Sequence, residues 1–100
     1  MTFHRVSSNM LNVLDALLTA HEQGEWLRGA DLIRRTGESS GLVYPTLARL
    51  EAQGWLLRKW AEPRAGELPH RACWLTSAGV AKARDMLNRP ESDTQAAPEG

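Results

Sequence analysis

The chain is short of cysteine, of long apolar runs and of net charge, and each shortage removes a class of function. A single cysteine, Cys73, excludes an internal disulfide and fits a reducing, cytoplasmic setting. No apolar stretch nears the ~20 residues that a membrane-spanning helix requires, so no membrane partner is expected. Residues 1–9 also lack the apolar run of a secretory signal. Metal ligands are scarce. His70 and Cys73, three apart on an expected strand, point to opposite faces, and His4 and His21 have no partner at ligand spacing. There is no Gly-rich phosphate loop and no paired-carboxylate motif, and Cys73 has no evident activating base. Neither an enzyme, a metal site nor a cofactor is expected.

What is present suits one small domain. A length of 100 residues is too short for two ordinary cores, and 42% hydrophobic residues is enough to fill one. The net charge of zero conceals a partition. Residues 1–27 set Arg5 against Asp15, Glu22 and Glu25, leaving −2. Residues 28–89 hold eleven basic and six acidic side chains, leaving +5, and residues 90–100 hold only the acids Glu91, Asp93 and Glu99. A partner meets the local surface and not the total. The basic middle therefore permits a nucleic-acid partner, while the neutral sum predicts modest sequence-independent affinity. The plainer alternative is a set of solvated helix faces.

Hydrophobic spacing predicts helix, short helix, helix, hairpin, helix. Ser8 or Asn9 can cap the first helix, whose apolar stripe of Met10, Leu14, Leu17 and Leu18 is widened by Leu11 and Val13. That stripe exceeds what one neighbour covers and predicts contact with a second chain. Trp26-Leu27 reads as a bridging strand, followed by a short helix over 29–35 with Ala30 and Ile33 inward, Leu32 supporting them and Gly37 as its stop. Ser39 or Ser40 can cap a third helix that buries Val43, Leu47 and Leu50, and Pro45 predicts an irregular, 3₁₀-like start. Residues 55–60 and 70–75 read as strands around a polar loop with two prolines and a glycine. Thr76 or Ser77 can cap a last helix with Val80, Ala83 and Leu87 inward, stopped by Pro90. A tight Thr36-Gly37-Glu38 connection followed by a hairpin makes a mainly α winged helix-turn-helix over residues 1–89, with residues 90–100 expected as a disordered acidic tail.

Ser39-Ser40-Gly41-Leu42-Val43-Tyr44-Pro45 leads into Leu47-Ala48-Arg49-Leu50-Glu51 and Gly54, and after the wing stands Leu75-Thr76-Ser77-Ala78-Gly79. These blocks resemble the PadR family of bacterial transcriptional regulators, with its Ser-rich start, Tyr-Pro pair, Leu-x-Arg-Leu-Glu, wing glycine and Leu-Thr-x-x-Gly. The likeness spans roughly residues 28–88. Arg28-Gly29-Ala30 departs from the family's Gly-Tyr, and Cys73 stands where an aromatic is common. The resemblance implies a DNA-binding regulator, a repressor of bacterial or phage origin, in a short form without a separate C-terminal dimerisation domain. A homodimer on a pseudo-palindromic site is expected, formed through the first and last helices because their apolar stripes exceed what one small core needs.

The candidate DNA contacts follow from position. Ser39, Ser40, Leu42, Tyr44 and Arg49 lie off the inward stripe of the third helix, where hydroxyls reach phosphates and Arg49 reaches backbone or a guanine edge. On the hairpin, Arg64 near the loop tip and Arg71 are candidates for phosphate contact, beside Arg58, Lys59 and His70. The plainer readings are a serine that only caps, an arginine paired with an acid, and a basic edge that discourages strand pairing. Trp26, Trp55, Trp60 and Trp74 are either core residues or walls of a dimer-interface pocket for a small aromatic effector. Strand alternation keeps Trp55 and Trp60 on opposite faces. A winged-helix module that binds protein and not DNA is the competing function.

Overall fold

The computed structural model describes residues 8–61, 63, 65–66 and 68–88; the wing-tip Arg64, Pro90 and the acidic tail lie outside them. The first helix, α1 (Ser8–Glu22), buries Val13, Leu14, Leu17, Leu18 and Ala20. Met10, Leu11 and Ala16 pack half-buried against the same core. One helix covers this much because α1 meets every other helix and the sheet. Most of the wide stripe is therefore spent inside the domain, and only Met10 and Leu11 are left half-buried at its edge.

The bridging strand, β1 (Leu27–Arg28), starts one residue later than expected. Leu27 is fully buried and sits opposite Cys73, so the core sets the register. The short helix α2 (Gly29–Thr36) follows at once, with the Arg28 amide donating to Asp31 Oδ2 at 2.9 Å. Its inward residues are Gly29 and Leu32, with Ile33 half-buried, whereas Ala30 is exposed. The expected face was rotated because the larger Leu32 takes the core position that Ala30 was given. Gly37 closes α2 in the left-handed conformation, as expected.

The next helix, α3 (Ser40–Ala52), buries Val43, Leu47 and Leu50. It is regular α-helix throughout, without the 3₁₀-like start that Pro45 suggested. Pro45 removes the bond to the Gly41 carbonyl, but both residues are exposed, so water can satisfy that oxygen. Strands β2 (Leu56–Ala61) and β3 (His70–Leu75) pair antiparallel from Leu56↔Leu75 to Ala61↔His70, giving a three-stranded sheet of order β1-β3-β2. Leu56, Cys73 and Leu75 point from this sheet into the core.

The last helix, α4 (Ser77–Leu87), packs on α1 and is fastened at its start to the turn after α3. Thr76 Oγ1 accepts from the Gly79 amide at 3.0 Å and donates to the Gly54 carbonyl at 2.8 Å. The Thr76 amide donates to the Trp55 carbonyl at 3.0 Å. That carbonyl leaves no room for a side chain at position 79, which is the physical content of Leu-Thr-x-x-Gly. The helix stops because Asn88 turns left-handed at φ 58°, before Pro90 is reached.

The turn between α2 and α3 is tied to α1. Asn9 and Asn12 donate to the two carboxylate oxygens of Glu38 at 2.7 and 3.0 Å. Thr36 Oγ1 donates to the Leu32 carbonyl at 2.6 Å and accepts from the Glu38 amide at 3.1 Å. The Asn12 and Asn9 bonds hold the Glu38 carboxyl below its ordinary value. Burial opposes ionisation of Asp31, but the Arg28 amide and the Arg28 and Arg34 charges outweigh it and lower that carboxyl too.

Two outcomes are expected. Gly79→Ala forces a methyl group into the Trp55 carbonyl, and urea unfolding should show a loss of about 2–4 kcal/mol. Both carboxyls have folded values below their unfolded ones. Their stabilisation is complete above the ordinary carboxylate range of about pH 4 and is lost as pH falls through the lowered values. An Asn9→Ala, Asn12→Ala double variant should therefore lose part of the acid-dependent change in melting temperature between about pH 5 and pH 3.

Candidate nucleic-acid interface

Because Val43, Leu47 and Leu50 fix the inward side of α3, its outward side is determined. Ser40, Gly41, Tyr44, Pro45, Ala48, Arg49 and Ala52 are all exposed, at the i, i+3, i+4 spacing of one helix face. Most of these side chains are small, so the helix backbone can approach a neighbouring surface closely. Tyr44 and Arg49 are the long ones. Arg49 makes no ion pair with another described residue, so its guanidinium is available. An exposed helix of this kind, following a short helix and a tight turn, has the form that enters a major groove.

Sequence expectation and structure differ at several of these residues. Ser39 occupies the N-cap position with extended backbone but makes no side-chain cap bond; the Leu42 and Val43 amides donate to its carbonyl instead. Its hydroxyl is left exposed beside that of Ser40. Leu42 is half-buried against the core and does not share the outward face. Tyr44 is 44% exposed, and its ring lies against Gly29, where any side chain would strike it. That contact explains why Gly29 begins α2, a requirement that spacing alone does not reveal.

The wing stands beside α3 and leaves a cleft of about 520 Å³ between them. Tyr44, Leu47 and Gly29 form one side, and Arg58, Trp60, Arg71 and Cys73 form the other. The cleft is within the size range of small-molecule sites. Arg71 is not a free wing cation: Glu51 on α3 holds it at 3.7 Å and holds Arg58 at 3.4 Å. Burial pushes the Cys73 thiol up to about 11, so the cleft floor carries no thiolate at neutral pH.

The four tryptophans occupy three places and not one pocket. Trp26 and Trp74 stack at 5.5 Å, His21 stacks on Trp74 at 4.3 Å, and Lys59 caps Trp26 at 4.6 Å. Trp55 lies half-buried at the core edge under Lys82. Trp60 is 68% exposed on the wing and faces the cleft.

Much of the basic middle segment is neutralised by the fold. Asp31 pairs with Arg28 and Arg34, Glu25 holds Arg35 at 2.7 Å, and Glu22 holds Arg84 at 3.3 Å. Glu22 and Glu25 come from the acidic first segment. The positioning roles that sequence reasoning passed over are thus those of Gly29, Asn9, Asn12, Glu38 and Glu51. Each acts through a partner distant in the chain or on the next element, and periodicity does not report such pairs.

No protein-family model matches the chain, and no curated protein matches its sequence. Solved structures do match. A protein of Archaeoglobus fulgidus, AF1382, superimposes with a TM-score of 0.69 at 13% identity, over 83% of this chain and 85% of that one. MarR from E. coli gives 0.64 at 19% identity, over 83% of this chain and 56% of MarR. A PadR family transcriptional regulator from Eggerthella lenta gives 0.62 at 23% identity, over 76% and 68%. The chain thus spans little more than half the length of MarR. The likeness establishes architecture: this chain has the winged helix-turn-helix fold that MarR and PadR transcriptional regulators share.

Proposed function

We propose that the protein is a sequence-specific, DNA-binding transcriptional regulator that acts in the cytoplasm as a repressor. The observation that carries this reading is the outward face of α3, with small side chains around an exposed Tyr44 and an Arg49 that has no ion-pair partner among the described residues. MepR of S. aureus, a neighbour in fold, was solved in complex with DNA. In the proposed complex α3 lies in the major groove, Ser39, Ser40 and Tyr44 bond to phosphates, and Arg49 reaches backbone or a base edge. The wing, whose loop carries Arg64 in the sequence, tracks the adjacent backbone.

The proposal includes a homodimer joined along α1 and α4, whose half-buried Met10, Leu11, Met86 and Leu87 border the core. Two copies would read half-sites about one helical turn apart. It also includes modulation by a small aromatic ligand. Regulation of DNA binding by 6-hydroxynicotinic acid is described for BpsR of Bordetella bronchiseptica, another neighbour. In this chain the aromatic walls of Tyr44 and Trp60 make the cleft the place for such a ligand, in preference to a pocket of all four tryptophans. One observation favours the competing module that binds protein: Leu57, Trp60 and Leu68 are exposed apolar side chains on the wing side.

Selection from a random DNA pool at two salt concentrations should return a pseudo-palindromic consensus, and recovery of unenriched sequence would remove the sequence-specific reading. With the selected duplex, Arg49→Ala should weaken binding by about 1–3 kcal/mol in an anisotropy titration. Ala48→Glu should reduce affinity at least about tenfold while moving unfolding stability by no more than about 0.5 kcal/mol, because position 48 is exposed. Analytical ultracentrifugation of the free protein should give twice the 11.1 kDa chain mass; a monomer at working concentration would rule out the pre-formed dimer.

A further inference from the structure

Where the wing strands meet the second half of α3, one carboxylate serves two guanidiniums. Arg58 Nη1 donates to Glu51 Oε1 at 3.4 Å, and Arg71 Nη1 lies 3.7 Å from Glu51 Oε2. The trio therefore keeps a net charge of +1. Its two arginines are held differently. The Arg58 side chain is 17% exposed, and its Nε is buried with no hydrogen-bond partner among the described residues. Arg71 is 41% exposed, with its guanidinium 5.7 Å from the centroid of the Trp60 ring. Both arginines line the cleft whose opposite wall is Tyr44, on the outward half of α3.

We propose that Glu51, held on its other side by Arg58, is an internal competitor for DNA phosphate at Arg71. The inference rests on the regulator reading above. A carboxylate and a phosphate use the same guanidinium fork, so a phosphate arriving at the cleft exchanges with Glu51 and does not meet an empty site. The exchange is feasible because a half-exposed ion pair is worth little by itself. Arg71 is the exchanging member, since it is the more exposed, and its stacking on Trp60 keeps it in place when Glu51 leaves. Arg58, largely enclosed, stays with Glu51. Each exchange subtracts from the gain of counterion release. A chain with many arginines thereby keeps a weak sequence-independent hold on DNA, and Glu51 sets that strength.

The test compares the full wild-type chain with Glu51→Gln, Arg71→Gln and the double variant, titrated against a random-sequence duplex across a salt series. Thermal melting of each variant is recorded alongside. Glu51→Gln should steepen the log–log salt slope by about 0.9, which is about eightfold tighter binding at 0.1 M salt relative to 1 M. Arg71→Gln in that background should remove the gain. An unchanged slope in Glu51→Gln overturns the exchange, and so does weaker binding with a lowered melting temperature, which would make Glu51 a staple of the wing. If wild type binds duplex and Glu51→Gln gains nothing, the exchange alone fails. If no variant binds duplex even at low salt, the regulator reading fails and the exchange with it.

Discussion

The burial of Val43, Leu47 and Leu50 is the constraint on which the rest of the molecule depends. These three side chains are shielded from water almost entirely, and together they fix the rotation of α3 about its own axis. Once that rotation is set, Tyr44, Ala48 and Arg49 must face out, and Glu51 must face the wing. Turning the helix by one residue would place Arg49 in the core, which an unpaired guanidinium does not tolerate. The flanking contacts defend this arrangement. Glu38, gripped by Asn9 and Asn12, anchors the turn before α3, and Thr76, bonded to the Gly54 carbonyl, anchors the turn after it. The candidate interface is a helix clamped at both ends with one face left open.

Electrostatics follow the fold more closely than the chain. Along the sequence a basic middle lies between acidic ends, but the acids of α1 and of the turn after it fold back onto the arginines of α2 and α4. Among the described residues, the charge left for a partner includes Arg49, Lys59, Lys82 and the Glu51–Arg58–Arg71 trio. Most ion pairs here are half-exposed and add little stability. Their larger effect is subtraction: they lower the number of cations that a polyanion can meet without competition.

Some of this was legible in the residues themselves. Helical spacing located α1, α3 and α4, alternation located β3 to the residue, and the tight turn followed by a hairpin was sufficient for the fold class. Those signals are local, because they come from which face of an element avoids water. Local signals also misled. Ala30 was given an inward place that Leu32 takes, Pro45 was expected to disturb a helix start that water-exposed Gly41 leaves intact, and Ser39, one of two expected caps, takes the N-cap position without a side-chain cap bond. The breadth of the α1 stripe was taken for surplus, and four neighbouring elements consume most of it, leaving Met10 and Leu11 half-buried.

The sequence by itself thus determined the order of elements, the buried stripe of α3 and the candidate helix of the interface, since each depends on residues a few positions apart. Only the tertiary structure decided that Gly29 makes room for Tyr44, that Gly79 makes room for the Trp55 carbonyl, and that the tryptophans separate into three places. It also decided which of the described arginines meet an acid. The reason is common to all of these. A close approach or an ion pair depends on the distance between groups that the chain separates, and that distance exists only after the elements have packed.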